Sequence, residues 1–337
     1  MTIHDRTGLQ RLAWARLSET SYHPGKLALL HTGAAAAFSL ILMLLNHLLS
    51  QQIADTGGLS AVGLQAGLST AQTMLSITSL VVAPFWDMGF VYATVRIARG
   101  EHTEPATLLR GFQRFGPVLR LQLLQGILYA GIAFFSIQLS SGIYMLTPFA
   151  TPLMEAVQTI PAEELTVDAI MAAAAKPEIM IPMYVVAAAV TGALMIPVYY
   201  RFRLAQFLIV DDPKIGALMA LGMSNRLMRR NRWAMFRLDL RFWWFYGLQL
   251  VSAALCYGDV LAGALGIQLP VSETVAFFGF FLLHCVVQLV LAWFAVSPVK
   301  VTYAVSYDVL RQMAENPAPL PAKPVPWDYP VDDKKAE

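Results

Sequence analysis

An all-α, polytopic membrane protein with six transmembrane helices and both termini cytoplasmic is the fold class this sequence predicts. Three observations carry that expectation. The 337-residue chain is 57% hydrophobic and only 14% charged, with a mean hydropathy of +0.55, whereas about a quarter of residues in soluble domains are charged. Six segments hold the roughly 20 apolar residues that a helix needs to cross a hydrocarbon core about 30 Å thick. The 24 lysines and arginines then sort by connection: all except Lys176 fall in the segments that a six-span model places on one side, which the positive-inside rule assigns to the cytoplasm.

Residues 1–26 form a polar cytoplasmic or interfacial leader. Within it Leu9, Leu12, Ala13 and Leu17 recur at helical spacing beside Arg11 and Trp14, the pattern of an amphipathic helix lying on a membrane surface or of an ordinary exposed one. The first apolar run places its alanine-rich patch before its most hydrophobic part, so a removable signal peptide is not expected. The membrane domain occupies 27–312, with spans near 27–49, 72–95, 121–144, 180–202, 242–264 and 274–297. An acidic external loop (145–179) separates the third and fourth spans, and Pro161 with Glu163 and Glu164 reads there as the first turn of a short helix. A basic cytoplasmic segment (203–241) separates the fourth and fifth, with Asp211, Asp212 and Pro213 read as a helix start. Residues 313–337 form a cytoplasmic tail rich in proline, which favours an extended solvated chain; a docking peptide for a cytosolic protein is its alternative reading.

Polar residues at helical spacing mark which face of a span is covered by protein. In span three Gln122, Gln125, Tyr129, Ala133, Ser136 and Ser140 share one face. Span one repeats the pattern with Thr32, Ala35, Ser39, Asn46 and Ser50, and span two with Ser76, Ala83, Asp87, Thr94 and Ala98. In span six His284 and Gln288 lie one turn apart. Asp87 therefore points into the bundle, where a charged carboxylate costs on the order of 3 kcal/mol on insertion scales and calls for a partner. His284, a glutamine of span three and Arg120 are the candidates. Pro84 frees the carbonyl of Leu80 on the side toward which Asp87 leans, so carboxylate and carbonyl are expected to border one polar pocket. Proline recurs at Pro197 and Pro298, each followed by tyrosines and basic residues in "PVYYRFR" and "PVKVTY".

Asp87, His284, Gln288, Gln122, Gln125 and Tyr129 are accordingly the candidate ligand-binding residues. The cluster Arg226, Arg229, Arg230, Arg232, Arg237 and Arg241 has two main readings: a topology determinant, or a set of contacts to anionic lipid headgroups. Its position against the membrane makes nucleic acid a poor partner. No phosphate loop, paired-cysteine zinc pattern or nucleophile elbow occurs, so neither a cofactor nor a metal is expected and no catalytic residue can be named. The two cysteines, Cys256 and Cys285, sit in apolar runs and form no disulfide framework.

The segments "RGFQRFGPVLRL" (110–121), "RLMRRNRWAMFRLDLRFWWFY" (226–246) and "VKVTYAVSYDVL" (299–310) resemble the bacterial integral membrane proteins grouped as domain of unknown function 975. The turn from Asn231 to Trp233, the step Leu238-Asp239-Leu240 and the following aromatic run carry most of the likeness, while the long acidic loop departs from it. The resemblance implies a multi-span protein of the bacterial cytoplasmic membrane and transfers no catalytic residue. Three functions stay open: a small-solute or lipid binding or transport module, a membrane scaffold using the basic segments and tail, and a membrane enzyme of unknown chemistry.

Overall fold

A computed structural model describes residues 3–20, 22–55, 59–161, 166, 169–170, 174, 176–258, 262 and 271–315. Every regular element among them is helical. Five of these helical stretches are long and apolar enough to cross a membrane, near Pro24–Leu45, Ile77–Ala98, Phe115–Met145, Glu178–Asp211 and Val275–Glu315. They support a membrane-embedded protein. The segment expected as a fifth span carries a helix over Trp243–Cys256, 14 residues long, and most of its later part lies outside the described residues. Glu163 and Glu164 of the expected helix start at Pro161 lie outside the described residues, as does the tail beyond Glu315, while residues 313–315 close the last helix.

Helix α1 (Arg6–Ser18) starts at an N-capping Asp5, whose carboxylate accepts from the Gly8 amide at 2.9 Å. Its stripe of Leu9, Ala13 and Leu17 is buried, and the helix packs on the last helix of the bundle and on α3. One face of the leader is thus covered by protein, while Trp14 and Arg11 on the rest of the helix stay exposed. The periodicity that marked an apolar face was right, and protein covers that face.

Helices α2 (Pro24–Asp55) and α3 (Leu59–Ala98) form the first long hairpin. Over its last turns α3 meets a 3-10 turn at Pro105–Leu109 and the single-turn α4 (Arg110–Gln113) at backbone distance. A Cβ on Gly89 would lie 1.7 Å from the Leu108 carbonyl oxygen, and one on Gly111 would lie 1.9 Å from that of Phe85. These two glycines let the segment lie directly on the α3 turn that carries Asp87.

Helix α5 (Phe115–Met145) packs along α7 (Pro177–Phe202). The stripe read from the sequence is the seam: Gln125, Ser136 and Ser140 are buried, and both serines bond carbonyls of their own helix. Past α5, a 3-10 turn (Pro148–Ala150) and α6 (Thr151–Gln158) fold over the end of the pair, where Tyr144, Ala150 and Ile179 form a small separate core. At the opposite, basic end come α8 (Ala205–Asp211), α9 (Ala217–Met228) and α10 (Arg232–Arg241), followed by α11 (Trp243–Cys256), α12 (Glu273–Leu291) and α13 (Ser297–Glu315).

Asp211 ends α8, and the next helix begins at Ala217, so the acidic pair is not the helix start expected from sequence. Its carboxylate is occupied otherwise. Asp211 accepts from Arg99 at 2.6 Å and Tyr307 at 2.8 Å and pairs with Arg311, while Arg99 also grips Asp308 at 2.7 Å. The ends of α3, α8 and α13 are tied together there. Between α12 and α13 one π turn, Ala292–Val296, precedes Pro298. The Trp293 carbonyl exposed by it lies where a Cβ on Gly25 would come within 2.7 Å, so the start of α2 nests on this turn, and Ser297 donates to the Pro24 carbonyl at 2.7 Å.

We expect Gly89→Ala and Gly111→Ala each to destabilise the fold by about 1–3 kcal/mol or more, because backbone must move to admit the methyl group. Gly126→Ala, with nothing within 4 Å of the new atom, serves as the control and should leave the unfolding midpoint in detergent unchanged or slightly raised.

Candidate binding cavity

The helices enclose a cavity of about 580 Å³, within the range of ligand-binding clefts. Its lining is polar for a site among apolar helices. Gln122, Gln125 and Tyr129 come from α5, Asp87 and Thr94 from α3, His31 and Thr32 from α2, and Gln249 and Gln288 from α11 and α12. Tyr199 and Arg203 enter from the end of α7, and Lys300 and Tyr303 from α13. Amides and phenols both donate and accept, so such a wall can satisfy a solute of either sign.

Asp87 lines this cavity, and its partner is His31, whose Nε2 lies 3.1 Å from Oδ1. None of the three partners expected from sequence fills that role. The His31 ring is fixed between Trp86 and Phe90, at centroid distances of 6.0 and 4.6 Å, and the Trp86 indole donates to the His31 carbonyl at 3.0 Å. The Asp87 side chain remains 63% exposed, so the pair leaves most of the carboxylate turned to open space. Leu80 lines neither this cavity nor the crevice described below, so the carbonyl that Pro84 frees is not part of the pocket.

His284 sits apart from the cavity lining. Its Nδ1 is 2.7 Å from the Ser252 carbonyl, which assigns the proton to that nitrogen, and 3.0 Å from the Ser252 hydroxyl. Gln288 joins the same network, donating to Gln249 at 2.8 Å and Ser252 at 3.1 Å. His284 is therefore a clasp between α11 and α12 that steadies Gln288 at the cavity wall.

The floor is built on Asp239, at the Leu238-Asp239-Leu240 step of α10. One carboxylate accepts four donors: both terminal nitrogens of Arg203, one of them at 2.9 Å, and the hydroxyls of Tyr200 and Tyr303, the latter at 2.6 Å. Tyr246 extends the chain to Tyr303 at 2.6 Å, and the Arg203 guanidinium lies 4.1 Å from the centre of the Tyr303 ring. Helices α7, α10, α11 and α13 thereby meet at a neutral, fully engaged cluster, the bidentate geometry that favours arginine over lysine.

Lys300 is different. It lines the cavity, keeps an exposed side chain, and has no ion-pair or hydrogen-bond partner among the described residues. It shares the cavity with Asp87, yet the two do not close to an ion pair. Sequence reasoning missed Lys300, Arg203, Asp239 and His31 because the first three were assigned to solvated segments beyond the spans, where positive charge needs no partner. The signal available was the recurrence of proline before each cavity charge: Pro84 before Asp87, Pro197 before Arg203, Pro298 before Lys300.

The arginine cluster divides. Arg232 is half-buried and donates to Asn225 at 3.2 Å, Arg241 reaches Thr7 at 3.2 Å, and Arg226, Arg229, Arg230 and Arg237 are exposed, Arg237 lying 5.2 Å from the Trp233 ring centre.

Side by side with known families, residues 28–314 match the model of the family described as Protein of unknown function (DUF975). Neither a curated protein nor a solved structure matches the chain.

Truncating one member of the floor pair leaves the other charge buried, so Arg203→Ala or Asp239→Ala is expected to cost about 3–5 kcal/mol. The double variant Arg203→Met with Asp239→Leu should recover part of that loss. Thermal unfolding of the purified protein in detergent checks both statements.

Proposed function

The chain belongs to the DUF975 family, and on that footing we propose that it is a membrane-embedded binding or transport module for a small charged solute or lipid. The observation that carries the reading is two charges in one cavity that do not pair with each other: Asp87, whose carboxylate His31 leaves largely open, and Lys300. Each ionised group inside a bundle is costly to insert, on the order of 3 kcal/mol, and such residues mark ligand or ion paths. Arg203, another charge lining the cavity, is neutralised by Asp239. A ligand that met Asp87 and Lys300 would supply the compensation that the protein leaves out.

The proposal includes a topology: six spans, with the helix Trp243–Cys256 beginning the fifth, both termini cytoplasmic, in the bacterial cytoplasmic membrane. The exposed arginines Arg226, Arg229, Arg230 and Arg237 then face the cytoplasmic headgroups, where each contributes about 1 kcal/mol of attraction to anionic lipid.

A thermal-shift screen of the purified chain with amino acids, betaines, organic phosphates and single-chain amphiphiles tests the binding reading. At least one charged member should raise the unfolding midpoint, as any ligand specific to the folded state must, and Asp87→Asn and Lys300→Met should abolish that rise while expressing normally. Full protection of both variants, or no protection of the wild type by any compound, would sink the reading. For topology, green fluorescent protein fused to the C-terminus should fluoresce and alkaline phosphatase inserted in the loop 145–179 should be active; the reverse pattern overturns the orientation.

A further inference from the structure

We infer that the ligand is a zwitterionic amphiphile whose cationic group lies next to its alkyl chain and whose anionic group is distal, admitted sideways between α2 and α3. The inference rests on the binding reading above and names its substrate class. Beside the polar cavity lies a second space of about 380 Å³ between these two helices, lined by Ala35, Phe38, Val82, Ala83 and Trp86 among others. Phe38 and Val82 are 37% and 43% exposed, so this crevice opens on the lipid-facing surface. Asp87 lines both spaces, which places the carboxylate at the point where the apolar crevice gives way to the polar cavity.

The order of chemistry along that path is what assigns the ligand. Small residues, Ala35 and Ala83, keep the crevice open where bulkier ones would fill it, and its walls suit an alkyl chain. At the junction a largely exposed carboxylate stands against the aromatic wall of Trp86, His31 and Phe90. Carboxylate and aromatic faces together are the surroundings that recognise an ammonium group. On the cavity side Lys300 offers an ammonium with no partner among the described residues, which calls for an anion. Chain, cation and anion therefore follow one another, the reverse of a phosphocholine or phosphoethanolamine headgroup, in which the anion is next to the chain.

The test uses the full chain in dodecyl maltoside with three probes: N-dodecyl-N,N-dimethylglycine, dodecylphosphocholine with its charges reversed, and glycine betaine as the headgroup alone. Affinities are read from the concentration dependence of the unfolding midpoint. The dodecyl glycine is expected to bind about tenfold or more tightly than either other probe. Ala83→Phe should remove that advantage and leave glycine betaine unchanged. Ala35→Phe repeats the test should the first variant fail to fold; both alanines are exposed, so the ring enters open space. Asp87→Asn should weaken both probes carrying the glycine headgroup. Equal binding of dodecylphosphocholine overturns the charge order. Glycine betaine binding as well as its dodecyl form overturns the amphiphile while the cavity reading stands, and failure of all three probes overturns this inference alone if the wider solute screen still finds a ligand.

Discussion

The bundle depends on one buried ion pair, the fork of Arg203 on Asp239. Four donors from two other helices, α7 with its C-terminal Arg203 and α13, converge on a single carboxylate that α10 carries. Isolated charges in such a place would be expelled or neutralised, and here the low dielectric that penalises each of them strengthens their mutual attraction. What the pair gains over two apolar residues is direction. The bidentate fork orients the end of α7 on α10, the Tyr303 hydroxyl ties α13 to the same carboxylate, and Tyr199 and Lys300 line the cavity from these two helices. Helix packing in lipid has no hydrophobic driving force of its own, so polar clamps set register where burial alone does not.

The second requirement is backbone-close packing of the segment 105–113 on α3. Gly89 and Gly111 are the two places where a single methyl group would push that segment away. Behind this contact, Pro84 interrupts the hydrogen-bond ladder of α3 one turn before Asp87, and the π turn with Pro298 does the same for α13 before Lys300. Irregular backbone at membrane depth persists where protein covers it or a cavity borders it. Both conditions hold here, since the start of α2 covers the π turn and the cavity borders the helices beyond it.

Much of this was legible in the sequence, for a physical reason. Apolar length and charge sorting report transfer between water and lipid, which acts residue by residue, so most of the long helices could be read directly. Polar stripes report which face is covered, and Gln125, Ser136 and Ser140 are buried as their spacing required. Partner identity is another matter. His31 is 56 residues from Asp87, and whether it or His284 meets the carboxylate depends on depth and helix rotation, which no local pattern encodes. The rule that reads basic residues as lying outside the membrane also hid the site. Arg203 and Lys300 follow the last apolar residues of their spans, yet their helical stretches run on and carry them to the cavity.

The contrast between the two kinds of charge is the strongest argument about function. At the basic end, Asp211 holds Arg99, Tyr307 and Arg311, and Asp239 holds Arg203 and two tyrosines. Both carboxylates are fully engaged where structure alone is served. Asp87 keeps one neutralisable partner and an exposed face, and Lys300 keeps none among the described residues. A chain under pressure only to fold would close these two on each other or replace them with apolar residues, since each ionised group inside a bundle costs on the order of 3 kcal/mol on insertion scales. Holding them apart costs stability with no return in packing, and the proposed binding role rests on that contrast.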